Sequence, residues 1–212
     1  MCHNQNMDFE DLIYERCAAA IEAIDITLAS EIYALGLMYE TFWNQDAQYI
    51  EVTYQSVIGF RYNTLTNWKR SINEASDEKE AKWNPSFWRE ETQEIAPRSV
   101  EYGEDPNDEE FMIRDKWCAS LGIAPKGKDV GDRPVYDEAE LNRATVAACQ
   151  NVIQRLHQNG VTLTKFRESI PVVIYNIECG AAVQAMLAAN PVSGDLQEVC
   201  ECMTKWHGSS KS

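Results

Sequence analysis

Basic residues are almost missing from the start of this chain. Residues 1–60 hold ten acids and a single base, Arg16. Residues 61–73 add three bases and no acid, residues 74–115 hold fourteen acids against five bases, and residues 116–212 balance at ten of each. The formal net charge of −15 therefore belongs to the first 115 residues. A surface of one sign repels nucleic-acid phosphates and anionic membranes, both of which need Lys and Arg, and it attracts a basic partner. Long apolar runs are missing too: none approaches the ~20 residues of a membrane span. The start Met1-Cys2-His3-Asn4 has no basic region followed by an apolar stretch, so no secretory signal is expected. There is no Gly-rich phosphate loop, no GxSxG elbow and no HExxH motif. No nucleic acid, membrane, cofactor or metal is expected as a ligand.

What is present suits a globular protein. With 212 residues, 44% hydrophobic, and six Trp, the chain has material for one core. A single domain over residues 1–207 is expected, with a disordered tail at 208–212. The seven cysteines are odd in number and scattered, and several fall on apolar helix faces, where a free thiol behaves as a small hydrophobe. A secreted chain would not usually carry this set, so a reducing cytoplasm is the expected compartment.

The periodicity predicts the elements. Phe9, Leu12, Ile13, Cys17, Ala20, Ile21 and Ile24 form a helical stripe, with Asp8 and Asp11 at its start. Ile32 to Tyr39 is apolar on both faces, as in a strand buried on both sides. Ile50, Val52 and Tyr54 alternate with polar residues and predict a second strand running on through Phe60 and Tyr62. The short polar connection Thr41 to Ala47 makes the pair a hairpin. Residues 63–108 read as loop with short helical pieces. Asn107 with Glu110 predicts a helix to about Leu121, and Gly122 to Pro134 an exposed loop. Asp137 with Glu140 opens the clearest helix, from Leu141 through Leu156, stopped by Gly160. Ile170 to Ile177 is a third strand, Ala181 to Ala189 a short helix ended by Asn190-Pro191, and Asp195 with Glu198 opens a last helix. The expected class is α+β: a small, mainly antiparallel sheet with helices packed on it.

Candidate chemistry is sparse. Cys200-x-Cys202 with His207 is the most metal-like group, but it supplies three ligands where zinc needs about four, and the two thiols point to different sides of a helix. Cys200 is expected in the core and Cys202 half exposed. Glu178 follows an apolar strand and is either a catalytic base or the point where the strand meets water. His157 sits in the last turn of a helix, where the dipole favours its positive form. The acidic runs, of which Asp77-Glu78-Lys79-Glu80 is the first, are more distinctive. Glu90, Glu91, Glu101, Glu104, Asp105, Asp108, Glu109 and Glu110 accompany Trp83, Trp88 and Tyr102. Acids steer a basic partner and aromatics anchor it, so these eleven residues are the expected partner-binding surface. An exposed Trp-bearing face suits a homodimer equally.

Four segments also resemble a known family. Glu31 to Tyr39 looks like the first strand of an uncharacterised bacterial group, the domain-of-unknown-function 4303 family. Arg61 to Thr64 resembles its turn after the second strand, Lys82 to Trp88 its tryptophan-bearing segment, and Ile170 to Glu178 its late strand ending in an acid. They fall in the right order across most of residues 9–190. The chain departs from the pattern in the acidic stretch 89–110 and the loop 122–136. The resemblance carries no catalytic residue. It implies a small acidic protein like the immunity half of a toxin–immunity pair.

The expectation is an immunity-type protein that neutralises a basic, secreted bacterial toxin domain by stoichiometric, charge-steered binding. A carboxylate-dependent hydrolase or transferase, and a general acidic adaptor, are the alternatives.

Overall fold

A computed structural model describes residues 8–42, 55–88, 93–96, 109–128, 134–175 and 181–209. Its first helix, α1 (Phe9–Ala23), starts where the Asp8 carboxylate accepts a hydrogen bond from the Phe9 amide at 2.7 Å. The expected stripe, Phe9 through Ile21, is buried. A one-turn helix, α2 (Ile26–Ala29), is capped by Asp25, which accepts from the Thr27 amide.

The next two elements pair antiparallel as expected, but Thr41 and Phe42, expected in the connection, belong to the first strand. β1 (Ile32–Phe42) and β2 (Gln55–Thr64) pair antiparallel from Ile32↔Thr64 to Phe42↔Gln55. The predicted strand start at Ile50 to Tyr54 lies outside the described residues. Register shifts between Ile32 and Ala34, so Tyr33 is the extra residue of a bulge. β1 is buried on both sides: Leu35 and Leu37 are fully covered, and the intervening Gly36 faces the Trp88 ring.

The segment read as mostly loop contains α3 (Leu65–Ser71), capped by Thr64, and α4 (Glu78–Trp83). Asp77 accepts from the Glu80 amide at 2.8 Å while Glu80 accepts from the Ser76 amide at 2.8 Å, a reciprocal cap on α4. A 3-10 turn at Pro85–Phe87 and the strand β3 (Gln93–Ala96) follow. β3 pairs antiparallel with β2 and was not expected. α5 (Glu109–Ser120) runs as predicted, although Asn107 lies outside the described residues. Part of the expected loop forms a two-residue ladder, β4 (Gly127–Lys128) with β5 (Pro134–Val135).

α6 (Glu138–Gln158) has the predicted cap, Asp137 accepting from the Glu140 amide at 3.0 Å. Gly160, at φ 70°, ends its run in a conformation that favours glycine, and a short helix, α7 (Val161–Phe166), restarts at once. β6 (Val172–Tyr175) then enters the sheet parallel to β1, giving the order β3-β2-β1-β6. α8 (Ala181–Ala189) is as predicted. α9 (Gly194–Ser209) is capped differently from the expectation: the Leu196 amide donates to Ser193 Oγ at 3.1 Å. It also continues through Gly208 and Ser209, residues expected to be a disordered tail.

The fold is α+β, with a mostly antiparallel four-stranded sheet. α1 packs on α6, α6 on α8, and α8 on β6. α4 packs against α3 and α9. Among the described residues, no helix is long and apolar enough to cross a membrane.

Candidate functional site

The structure divides the eleven predicted partner-binding residues. Glu90, Glu91, Glu101, Tyr102, Glu104, Asp105 and Asp108 lie outside the described residues. Trp83 and Trp88 do not form an exposed anchor: they are 0% and 3% exposed. The Trp83 indole donates to Glu198 Oε2 at 2.9 Å, and that of Trp88 to the Lys82 carbonyl at 3.1 Å. In a locally polar sequence these rings supply the apolar area that holds α4 and the 3-10 turn on the sheet. Glu109 is exposed. Glu110 is half-buried and chelates Arg16 through both carboxylate oxygens, at 2.7 and 2.5 Å. Arg16 also donates to the Ile95 carbonyl at 2.6 Å, which joins α1, β3 and the start of α5.

Lys82 is the centre of a second cluster. Its Nζ lies 2.7 Å from Asp195 Oδ1 and 2.9 Å from Glu198 Oε2, and 4.8, 5.1 and 5.8 Å from the ring centres of Trp83, Trp68 and Tyr33. This is a cation held between carboxylates and aromatic faces. Burial acts to lower the Lys82 pKa, but the hydrogen bonds and charges of Asp195 and Glu198 outweigh it and raise it. Burial acts to raise Glu198, and the bonds from Lys82 and Trp83 outweigh that and lower it. Around the cluster, Tyr33 donates to the Lys82 carbonyl at 2.8 Å and receives a bond from Asn63 at 2.8 Å. Tyr175 donates to the Trp83 carbonyl at 2.5 Å.

Outside this cluster a cleft of about 450 Å³ opens between α4 and α9. Ser76, Asp77, Lys79 and Glu80 form one wall, and Glu201, Cys202, Lys205 and Trp206 the other. Lys79 reaches across it, 3.6 Å from Glu201 and 3.8 Å from Glu198. Of these cleft residues the sequence singled out Cys202 and, within the acidic run Asp77-Glu78-Lys79-Glu80, Asp77, Lys79 and Glu80, but it did not bring the two groups together. The i, i+3 pair Asp195 and Glu198 was visible, but its spacing equally reads as a helix start.

Burial favours the neutral thiol at the described cysteines. Cys17, Cys118, Cys149, Cys200 and Cys202 are free and buried. Burial pushes the Cys118 thiol up to about 11 and that of Cys149 up to about 12. Cys202 was expected half exposed but is 8% exposed, because α9 turns that face toward the core, and its thiol is pushed up by burial. Among the described residues no three His, Cys, Asp or Glu side chains group as a metal would require. His157 corrects another expectation. It is half-buried between Asn190 (3.1 Å) and Thr162 (3.0 Å), and that burial lowers its pKa, so the neutral ring is favoured over the charged one. Glu178 lies outside the described residues.

No family model, no curated protein and no solved structure shows a significant match to this chain.

Proposed function

We propose that this protein binds a basic protein one to one, as an immunity protein neutralises a bacterial toxin. The observation that carries the reading is the burial of three bases in the acidic part of the chain. Arg16, Lys82 and Arg114 have side chains only 17%, 14% and 5% exposed, each paired inside the fold. Three positive charges are thereby withdrawn from the surface; Lys69, Arg70 and Lys79 stay exposed, outnumbered by the exposed acids Asp8, Glu15, Glu22, Asp25, Glu74, Asp77, Glu78 and Glu109. A field of this kind speeds capture of an oppositely charged protein.

The test is co-production with the product of an adjacent reading frame that encodes a secreted toxin. Protection should reach its endpoint near equimolar protein, and calorimetry should give one site. Full protection at a few per cent of the toxin concentration would instead identify an enzyme that reverses damage.

A further inference from the structure

A chain of side-chain hydrogen bonds joins four elements. Asn190, just past the end of α8, is buried and commits its amide to backbone groups. Its Oδ1 accepts from the Val172 amide at 2.7 Å, and its Nδ2 donates to the carbonyls of Val172 and Met186, each at 3.0 Å. A backbone N–H only donates and a carbonyl only accepts, so these three bonds fix which end of the amide is oxygen. His157 Nε2 stands 3.1 Å from the same Oδ1, so Nε2 carries the ring hydrogen. In the neutral ring Nδ1 is then an acceptor, and the Thr162 hydroxyl, 3.0 Å away, donates to it. The bonds therefore run from Thr162 of α7 through His157 of α6 to Asn190, which holds Val172 of β6.

We propose that this chain of bonds is a proton-operated latch, in which protonation of His157 at Nδ1 releases α7 from α6 while β6 keeps its place. A second proton on the ring lands on Nδ1 and points at the Thr162 oxygen. The hydroxyl must turn from donor to acceptor, and its own hydrogen then needs a new acceptor at a residue that is 0% exposed. Nε2–H is present in both charge states, so the Asn190 clasp on Val172 is undisturbed. The conflict falls on Thr162 alone. α7 is the element that yields to it. Two of its six residues, Thr162 and Phe166, are buried, and left-handed residues flank it on both sides, Gly160 at φ 70° and Arg167 at φ 62°. Its opening bares Phe166 beside Leu163, which is already 56% exposed. The elements packed on α6 are α1, α7, α8 and β6. α1 turns Glu10, Asp11 and Tyr14 to Asn151, Arg155 and Asn159 of the α6 end and its cap. Lys165 of α7 donates to the Glu22 carbonyl on α1 at 2.7 Å. α8 has no titratable side chain, and that of β6, Tyr175, is bound to the Trp83 carbonyl. Burial lowers the His157 pKa against the opposing Asn190 bond, with no charged neighbour among the causes. The ring thus answers to this chain of bonds and to its burial.

Two measurements on the wild-type protein test the latch. Nitrogen NMR of the His157 ring at pH 8 should find the hydrogen on Nε2 and none on Nδ1. Amide hydrogen exchange, corrected for intrinsic rates, should separate α7 from the rest of the fold. The Thr164 and Arg167 amides, bonded to Gly160 and Leu163, report on α7, and the Leu35 amide, bonded to Pro171, reports on the β1–β6 edge. Thr164 and Arg167 should exchange faster than Leu35, through an opening smaller than global unfolding. That opening should become more frequent as pH falls below about 6.5, by up to about tenfold per unit, the slope of one linked proton. Val172 should stay with Leu35. Ile72, bonded to the Trp68 carbonyl at the end of α3, reports a local opening elsewhere and should show no such slope. H157Q has no proton to take up, and its α7 opening should be flat with pH. A hydrogen on Nδ1 at pH 8 would overturn the proposal. So would Thr164 and Arg167 exchanging no faster than Leu35 at pH 5.5, a slope no greater than that of Ile72, or a full slope in H157Q. The wild-type measurements decide the matter even where H157Q does not fold.

Discussion

A Cβ placed on Gly36 would stand 2.9 Å from Cζ3 of Trp88. The indole occupies the room that the missing side chain leaves over the middle of β1. Tyr175 holds it edge-on from the neighbouring strand, with ring centres 5.2 Å apart and planes at 85°. Glycine at this position is a packing requirement, since the ring is itself fixed by its bond to the Lys82 carbonyl.

Gly36→Ala should therefore destabilise the fold by about 1–3 kcal/mol, the usual range for overpacking a core. Urea unfolding should show a lower midpoint at unchanged slope. An unaltered midpoint would mean that the ring yields.

Trp83→Ala and Trp88→Ala should each cost about 3–5 kcal/mol of stability, as large-to-small core changes do. Partner affinity should fall only as far as the folded fraction falls. Trp83→Phe keeps a ring and loses the donor to Glu198, and about 1–2 kcal/mol is expected from that alone. A folded Trp88 variant that no longer binds its partner would restore the surface role that its burial argues against.

Lys82→Met leaves Asp195 and Glu198 facing aromatic rings without their cation. Both acids keep some solvent contact, at 44% and 27% exposed, so the expected loss is about 1–3 kcal/mol. The pair also sets a pH dependence. The Glu198 carboxyl titrates below its ordinary value in the fold, so the unfolded chain takes up its proton first as pH falls. Its contribution is full above about pH 4.3 and is lost as pH drops through the folded value. Wild-type midpoints should fall in that acid range more steeply than those of Glu198→Gln.

Charge reversal separates two neighbouring acids. Glu109→Lys should leave the midpoint unchanged and slow association with a basic partner, less so as salt rises past ~0.15 M, where screening acts within about 8 Å. Glu110→Lys puts two cations face to face at Arg16 and should unfold α5 from α1, lowering the midpoint. Equal loss of stability in both would show that Glu109 is not a surface charge.

His157 should make the protein less stable in mild acid. Its folded pKa lies below the ordinary value, so the unfolded chain is protonated first, and stability declines as pH falls below about 6.5. Urea midpoints at pH 8 and pH 5.5 should differ in the wild type, and the difference should shrink in His157→Gln.

Elements with local signals were legible in the sequence. The Asp8 and Asp137 caps, the two-sided burial of Ile32 to Tyr39 and the helix Ala181–Ala189 are written in neighbouring residues, and the structure has them. What failed depended on distant partners. Asp195 and Glu198 have capping-box spacing, yet they turn to Lys82, and Ser193 caps the helix. Trp83 and Trp88 sit among acids and prolines, and nothing within a few residues shows that a sheet lies beneath them. β3 is too short to show a period, and the parallel pairing of β6 cannot be read from its own apolar run. The cleft belongs to two helices more than a hundred positions apart, so no spacing announces it.

That late strand also sets an order of events. Leu35 through Met38 pair with Val172 through Tyr175, and the Asn190 side chain then clasps both the amide and the carbonyl of Val172. The most apolar strand is made early and waits for most of the chain before one of its edges is covered. Contacts between such distant segments form slowly, and an uncovered strand edge meanwhile invites other chains. A ribosome stalled before Val172 would hold a nascent chain with β1 open along that side. Rapid engagement of this stretch by a chaperone is what the topology asks of the cell.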